Sequence, residues 1–153
     1  MSLYLDKNET LGLLGPNGAG KSTLFNILST SINPNEGKVL TFGQPLHYKA
    51  DFFKKAGLCA QDDIFWTNLD VDSNIKILRK MKGIPKNVAD HWKEALTLNE
   101  FGDRRAENLS SGMRRKLCFI MGSIGNPQFK FLDEPSTGLD PVARLTMRDT
   151  MKA

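Results

Sequence analysis

A glycine-rich run at residues 15–22, Gly-Pro-Asn-Gly-Ala-Gly-Lys-Ser, constrains the fold more than any other part of the chain. It matches the pattern G-x-x-x-x-G-K-[ST] at every fixed position. A short apolar run at residues 10–14 precedes it, and Leu24, Ile27 and Leu28 follow at helical spacing until Pro34. This order predicts a buried strand, a tight loop and a helix.

Such a loop binds phosphate because its glycines let successive N–H groups point inward, while the following helix adds the positive end of its dipole. In this pattern Lys21 reaches the β- and γ-phosphates, and the Ser22 hydroxyl holds Mg²⁺. The motif therefore predicts a nucleotide phosphate site, and a simple glycine-rich turn is the weaker alternative.

The rest of the chain alternates strand-like and helical patterns. Short strands are predicted at residues 39–42, 56–60 and 129–132, and a last helix from Ala143 onward. Amphipathic helices are predicted to begin near Val71, Val88 and Ser110. We therefore expect an α/β fold with a parallel sheet, interrupted by a helical insert between about residues 64 and 126.

Two carboxylates, Asp133 and Glu134, follow the apolar run at residues 129–132. Because a parallel sheet gathers its ligand residues at the carboxyl ends of its strands, Asp133 is placed to hold Mg²⁺. The adjacent Glu134 points differently and is placed to polarise a water molecule towards the γ-phosphate. One carboxylate for metal and one for water indicate hydrolysis rather than nucleotide holding alone.

Residues 109–113, Leu-Ser-Ser-Gly-Met, open the third helix of the insert. Ser110 is suited to cap this helix, which is a purely structural role. Gly112 lies inside the first turn, where glycine costs about 1 kcal/mol relative to alanine. Close approach of an anion to the bare backbone is one reason for a glycine here. Both interpretations stay open at this point.

Composition adds limits rather than a function. The chain has 153 residues and a net charge of +4, and no apolar run approaches the roughly 20 residues of a membrane-spanning helix. The N-terminus lacks the features of a signal peptide, so we expect a soluble piece. Cys59 and Cys118 are expected to be buried, reduced thiols. The basic run at residues 114–116 is interpreted as a solvated helix face, with a polyanion-binding patch as the alternative.

Several of these segments, taken in order, resemble a known family. Residues 15–23 resemble the Walker A loop of the ATP-binding cassette (ABC) ATPases. Residues 109–113 are similar to their LSGGQ signature, and residues 129–134 to their Walker B strand. Residues 136–140 resemble their D-loop, and Gln61 lies where their Q-loop glutamine falls. Signature and D-loop distinguish this family from other P-loop NTPases.

The resemblance implies a P-loop NTPase-type parallel sheet with a helical signature subdomain inserted. It assigns residues 1–63 and 127–153 to a RecA-like core and residues 64–126 to the helical subdomain. It also implies ATP and Mg²⁺ as cofactors, with Glu134, Gln61 and Lys21 as catalytic residues and Ser22, Gln61 and Asp133 as metal ligands. The residues that the resemblance assigns to ATP binding are Gly15, Pro16, Asn17, Gly18, Ala19, Gly20, Lys21, Ser22, Thr23, Ser110, Ser111 and Gly112.

The resemblance further implies partners. A second nucleotide-binding domain would pair head-to-tail, with Asp140 at the opposite subunit, and transmembrane domains in the same or another chain would place the site at the cytosolic face of a membrane. Nucleic acid is not expected. Residues 112–117 and 137–144 are most similar to subfamily A transporters, many of which move lipids.

Some features depart from the family pattern. Ser111 stands where the signature usually has glycine, and Met113 where it usually has glutamine. The histidine switch and the aromatic that stacks on adenine fall outside residues 1–153, so we expect a domain truncated at both ends. We expect this piece alone to be poorly stable and to hydrolyse ATP slowly or not at all. A soluble ABC ATPase without transport, and an inactive nucleotide-binding remnant, are the alternatives.

Overall fold

A computed structural model describes residues 2–41, 43–46, 52, 54–62 and 64–152, the last three by their backbone alone. The chain divides into two units, residues 1–37 and residues 38–153. Each unit is described by itself.

The first unit contains one regular element among its described residues, the helix α1 (Lys21–Leu28). The strand predicted at residues 10–14 is wrong. These residues form neither helix nor strand, and the Leu14 side chain is 97% exposed. An apolar run records a preference for burial, but a strand also needs a neighbour to complete its hydrogen bonds. In the described part of the first unit no segment supplies that ladder.

The second unit carries the remaining elements, and most predicted ones are confirmed. The strand predicted at residues 39–42 is a two-residue piece, and Phe42 lies outside the described residues. In chain order the elements are β1 (Leu40–Thr41), β2 (Gln44–Pro45), β3 (Ala56–Cys59), α2 (Val71–Lys82), α3 (Lys86–Ala95), α4 (Ser111–Ser123), β4 (Phe129–Leu132) and α5 (Pro141–Lys152).

Helix α5 begins two residues before the predicted start at Ala143. Pro141 occupies its first position, where a missing N–H costs nothing and the fixed φ favours helix. The Asp140 carboxylate accepts a hydrogen bond from the Ala143 N–H at 2.8 Å, and so caps the helix.

The two longer strands, β3 and β4, pair in parallel, which confirms the predicted sheet type. Ala56 is paired with Phe129 and Cys59 with Leu132. The Asp133 N–H donates to the Cys59 carbonyl at 2.8 Å, so the ladder continues past the end of β4. As a result, the residues after Cys59 and those after Leu132 leave the sheet at the same edge.

Helix α4 packs against β3 so closely that the backbones of the two elements are in contact. A Cβ added to Gly122 would lie 2.7 Å from the Leu58 carbonyl oxygen, and Gly57 of β3 faces Gly122 in turn. Cys59 and Cys118 meet at this interface with their Sγ atoms 3.5 Å apart, and both are buried and free. The hydrogen bond with Cys118, together with burial, raises the pKa of the Cys59 thiol. The Cys59 thiol is therefore neutral, and both cysteines are buried and free of a disulfide, as expected.

Helix α2 is capped at both ends. The Asp70 carboxylate accepts from the Ser73 N–H at 2.6 Å, and Gly83 ends the helix with a left-handed φ of 69°. The fully buried Asn74 side chain accepts from the Trp66 N–H and donates to the Trp66 and Asp70 carbonyls. Asn74 therefore fixes the loop that connects β3 to the helical segment.

Candidate functional site

The glycine-rich loop of the first unit has the backbone that its sequence predicts. Gly18 and Gly20 have φ values of 80° and 88°, and nothing lies within 4 Å of where their Cβ atoms would be. These conformations favour glycine, and the empty space leaves the loop backbone approachable. Because α1 begins at Lys21, the amides of its first turn have no carbonyl within the helix to pair with.

Lys21 folds back over this loop. Its ammonium group donates to the carbonyls of Gly15 and Pro16, each at 2.9 Å. The Ser22 hydroxyl, one residue further, belongs to an exposed side chain. A cation, glycine amides and a free hydroxyl are the donor set that a phosphate group and its magnesium ion require. The residues present therefore fit a nucleotide phosphate chain with Mg²⁺.

The second unit brings three other predicted residues together at one edge of the sheet. Gln61 follows β3 by one residue, and Asp133 and Glu134 follow β4 directly. Because β3 and β4 are parallel neighbours in register, these three side chains leave from adjacent strand ends. Gln61 and Glu134 are exposed, whereas Asp133 is half-buried. The edge thus presents two carboxylates and an amide, all oxygen donors that suit Mg²⁺ or water.

Glu134 has an unusual backbone. Its φ is 43°, in the left-handed region that a residue with a Cβ seldom adopts. The Glu134 carbonyl accepts from the Thr137 N–H at 3.1 Å, and its carboxylate accepts from the Thr137 hydroxyl at the same distance. A tight turn after β4 therefore sets the direction in which this carboxylate leaves the sheet.

Sequence analysis missed the role of Arg115, and the solvated face predicted for residues 114–116 is wrong at this position. The Arg115 side chain is 9% exposed, and its guanidinium donates to the carbonyls of Ala60, Asp133 and Pro135. The signal was present in the helical spacing, because Arg115 shares a face of α4 with the small residues Cys118 and Gly122. Small residues on one face indicate close packing, and a charge among them needs partners.

Neighbouring cations of the same run also find partners within the chain. The Arg114 guanidinium donates to the Glu107 carbonyl at 2.6 Å, and Lys116 lies 3.5 Å from the Asp140 carboxylate. Helix capping by the Ala143 N–H, with help from Lys116, lowers the pKa of Asp140. The basic side chains at residues 114–116 therefore make contacts within the chain, which disfavours a polyanion-binding patch.

The segment at residues 109–113 opens α4 as predicted, with Ser110 as its cap. The Ser110 hydroxyl accepts from the Met113 N–H at 3.3 Å. A Cβ added to Gly112 would lie 3.0 Å from the Gly138 carbonyl oxygen. The glycine at position 112 therefore has a structural reason within this chain, besides any approach by an anion. Ser110 and Ser111 are exposed at the start of the helix.

A match to a protein family shows which family the chain belongs to. The family model described as ABC transporter matches residues 1–137, which include the glycine-rich loop, Gln61, residues 109–113 and the strand β4 with the Asp133 and Glu134 that follow it. The chain belongs to the ABC transporter family. The match covers the three segments that resemble the family's Walker A loop, signature and Walker B strand, at residues 15–23, 109–113 and 129–134.

Several curated proteins of subfamily A are similar to this ABC chain. A rat (Rattus norvegicus) protein named cholesterol transporter ABCA5 is 39% identical over 96% of the chain. A mouse (Mus musculus) protein named ABC-type organic anion transporter ABCA8A is 38% identical over 100% of the chain, and ABC transporter A family member 11 of Dictyostelium discoideum 36% over 92%. The chain spans 9%, 10% and 18% of these relatives, respectively.

Solved structures support the fold. The structure of an ATP-binding subunit of an ABC transporter aligns with a TM-score of 0.83 at 20% identity, covering 91% of this chain and 60% of that one. An ABC transporter ATP-binding protein from Pyrococcus furiosus aligns with a TM-score of 0.73 at 22% identity, covering 90% and 68%. The P-loop NTPase-type α/β fold is thereby confirmed. Across the described residues, none of the helices has the length and hydropathy needed to cross a bilayer.

Proposed function

We propose that this chain is the nucleotide-binding part of an ABC transporter that binds ATP with Mg²⁺ and hydrolyses it to drive transport. The observation that carries the proposal is the parallel pairing of β3 with β4, which sets Gln61 beside Asp133 and Glu134 at one sheet edge. Family membership supplies the context, since ABC domains bind and hydrolyse ATP.

The Walker A loop is proposed to hold the phosphates. Its amides and the Lys21 ammonium group neutralise the β- and γ-phosphates, and the start of α1 adds a positive dipole end. Residues 15–23 make up this part of the site, as the sequence predicts. The half-buried Lys21, now bonded to its own loop, exchanges two carbonyl partners for phosphate oxygens, which are stronger acceptors.

Metal binding and water activation are assigned to different side chains. Ser22, Gln61 and Asp133 are the proposed oxygen ligands of Mg²⁺, which when bound neutralises charge on the phosphates. Glu134 is the proposed general base for the attacking water, because it is a carboxylate next to the metal ligand Asp133 and directed elsewhere by the turn after β4. Gln61 contacts the metal or that water.

A second nucleotide-binding domain is the proposed partner. Ser110, Ser111 and Gly112 of one copy would cover the ATP of the other in a head-to-tail dimer. Exposure of Ser110 and Ser111 at the start of α4 is consistent with this role. Transmembrane domains, in the same or another chain, complete the transporter and place this part at the cytosolic face of a membrane. Names of the relatives favour lipid or organic anion as cargo.

Two measurements on the 153-residue chain test the proposal. One is the affinity for a fluorescent ATP analogue, and the other is the rate of phosphate release from ATP. Lys21→Ala should weaken ATP binding by about tenfold or more, because a charge-assisted hydrogen bond contributes on the order of 1.5–3 kcal/mol. Glu134→Gln should retain binding and slow phosphate release by about 10²–10⁴-fold. Lys7→Ala, an exposed lysine of the same unit, is the matched control and should behave as the parent.

Two outcomes would contradict the proposal. Equal ATP affinity in Lys21→Ala and Lys7→Ala would remove the Walker A assignment. Binding without any phosphate release in the parent chain, even at concentrations that favour dimers, would leave a nucleotide-binding remnant in place of an ATPase.

A further inference from the structure

Arg115 is a buried cation whose hydrogen-bond partners, in the part of the chain that the structure describes, are all backbone carbonyls. The guanidinium donates from Nη1 to the Ala60 carbonyl at 2.6 Å, from Nε to the Pro135 carbonyl at 3.3 Å, and from Nη2 to the Asp133 carbonyl. Desolvating a guanidinium is costly, and its planar fork of donors is fully used only when several acceptors are held in place. The arrangement therefore joins three chain segments at one point.

The three carbonyls belong to residues next to Gln61 and Glu134 in the sequence. Ala60 directly precedes Gln61, so its carbonyl is part of the peptide bond that leads into the Q-loop glutamine. Asp133 and Pro135 flank Glu134, and the guanidinium bonds the carbonyls of both, which lie in the peptide bonds Asp133–Glu134 and Pro135–Ser136. One side chain of α4 thus fixes the backbone around both residues proposed to act on the attacking water.

The backbone of Glu134 needs such support. Its φ of 43° is unfavourable for a residue with a Cβ, and such conformations persist where the surroundings hold them. Thr137 closes the turn from one direction through its N–H and hydroxyl. Arg115 holds the turn from the other direction through the flanking carbonyls. Without the guanidinium, Glu134 would be free to relax towards ordinary φ values.

Helix α4 also has apolar and backbone contacts that do not involve this cation. Gly122 approaches the Leu58 carbonyl closely, Cys118 contacts Cys59, and Leu117, Ile120 and Ile124 are buried on the helix. These contacts hold the helix in place by packing. Arg115 is therefore in excess of what packing alone requires, which favours a role at the site.

We propose that Arg115 is a positioning residue for ATP hydrolysis, which holds Glu134 and Gln61 in place and ties both to the signature helix α4. The inference rests on the proposed function. Since Ser110 to Gly112 begin the same helix, a displacement of α4 by the second copy's nucleotide is carried through Arg115 to Glu134 and Gln61. Binding of ATP by one copy thereby adjusts the water-activating residues of the other.

Arg115→Met tests the proposal in the 153-residue chain, because methionine removes the donors and keeps a long apolar stem. We expect ATP affinity within about twofold of the parent and a turnover slowed on the order of 10–100-fold, the size of effect that small misplacement of a reacting group produces. Hydrogen exchange, read by mass spectrometry, should accelerate in peptides containing residues 60–62 and 133–137 and stay unchanged in α2.

Arg144→Met is the matched control. Arg144 also donates from a guanidinium to a backbone carbonyl, that of Leu139 at 2.9 Å, which lies outside the segments 60–62 and 133–137. We expect parent-like turnover and parent-like exchange at residues 133–137. Arg115→Lys keeps the charge with a single donor group, and should restore turnover only in part. It also serves where the methionine variant fails to fold.

The proposal is overturned if Arg115→Met and Arg115→Lys turn over ATP as the parent does, or if exchange rises evenly along the chain. It is also overturned if Arg144→Met gives the same local effect. A parent chain that neither binds nor hydrolyses ATP would instead overturn the proposed function, while the exchange data would still decide whether Arg115 holds the Glu134 and Gln61 segments.

Discussion

Two glycines of α4, at positions 112 and 122, meet backbone carbonyls at different distances. A Cβ at Gly122 would lie 2.7 Å from the Leu58 carbonyl oxygen and 2.9 Å from the Leu58 carbonyl carbon, at the buried contact between α4 and β3. A Cβ at Gly112 would lie 3.0 Å from the Gly138 oxygen, in an exposed turn. The same residue type therefore serves buried close packing at one site and a surface contact at the other.

Substitution of each glycine by alanine should separate these roles. Gly122→Ala should lower the free energy of unfolding by about 1–3 kcal/mol, because the helix must move away from β3. Gly112→Ala should change it by no more than about 1 kcal/mol, since the gain in helix propensity offsets the crowding. Urea unfolding of both variants measures the difference. Equal destabilisation would contradict the assignment of the two contacts.

At the scale of elements, helix α2 depends on a titratable cap. The Asp70 carboxylate accepts from the N–H and the hydroxyl of Ser73, and the N–H hydrogen bond holds the pKa of Asp70 below its usual value. A depressed native pKa adds stability above the unfolded value near 3.9 and loses it as the pH falls through the native pKa. The helix start is therefore expected to weaken in acid.

Unfolding of three proteins in urea at pH 7 and near pH 3 checks this prediction. Asp70→Ala should cost about 1 kcal/mol at pH 7, the usual value of a lost helix cap. Asp70→Asn is the control, because asparagine caps a helix but does not titrate. The advantage of the parent over Asp70→Asn should shrink at the lower pH. An advantage that is independent of pH would refute the role of the Asp70 charge.

Local sequence signals explain most elements and fail where a distant partner decides. The cap at Ser110 and the apolar spacing of α4 lie within the helix itself, so its start and period are predictable. Residues 10–14 carry an equally clear apolar run, yet a strand forms only against a neighbour that no local pattern specifies. The contacts of Arg115 were not predicted for the same reason, because its acceptors lie at two strand ends that are distant from it in sequence.

For the whole molecule, the distribution of buried apolar residues is uneven. Every member of the buried core cluster lies between Cys59 and Met147, within the second unit. Among the described residues of the first unit, Ser29 is the buried one. Hydrophobic burial is the main favourable term in folding, so the two units contribute very differently to stability.

Residues 38–153, expressed alone, should therefore fold. We expect a cooperative thermal transition and helical circular dichroism close to that of the full chain after correction for α1. Hydrogen exchange should remain slow in β3, β4 and α4. Residues 1–37 alone should give the spectrum of an unfolded chain. Loss of the cooperative transition in the longer fragment would show that the first unit is needed for the core.

The pairing of β3 with β4 also bears on how this chain is made. Helices α2, α3 and α4 all lie between the two strands in sequence. On the ribosome, β3 is synthesised first and has no partner strand while these helices are made. At roughly 5–20 residues per second, the synthesis of the intervening segment takes seconds. Contacts this distant in sequence also form slowly once both ends are available. During biosynthesis β3 is therefore an unpaired apolar strand, and chaperone binding at residues 56–59 of nascent chains is the expected protection.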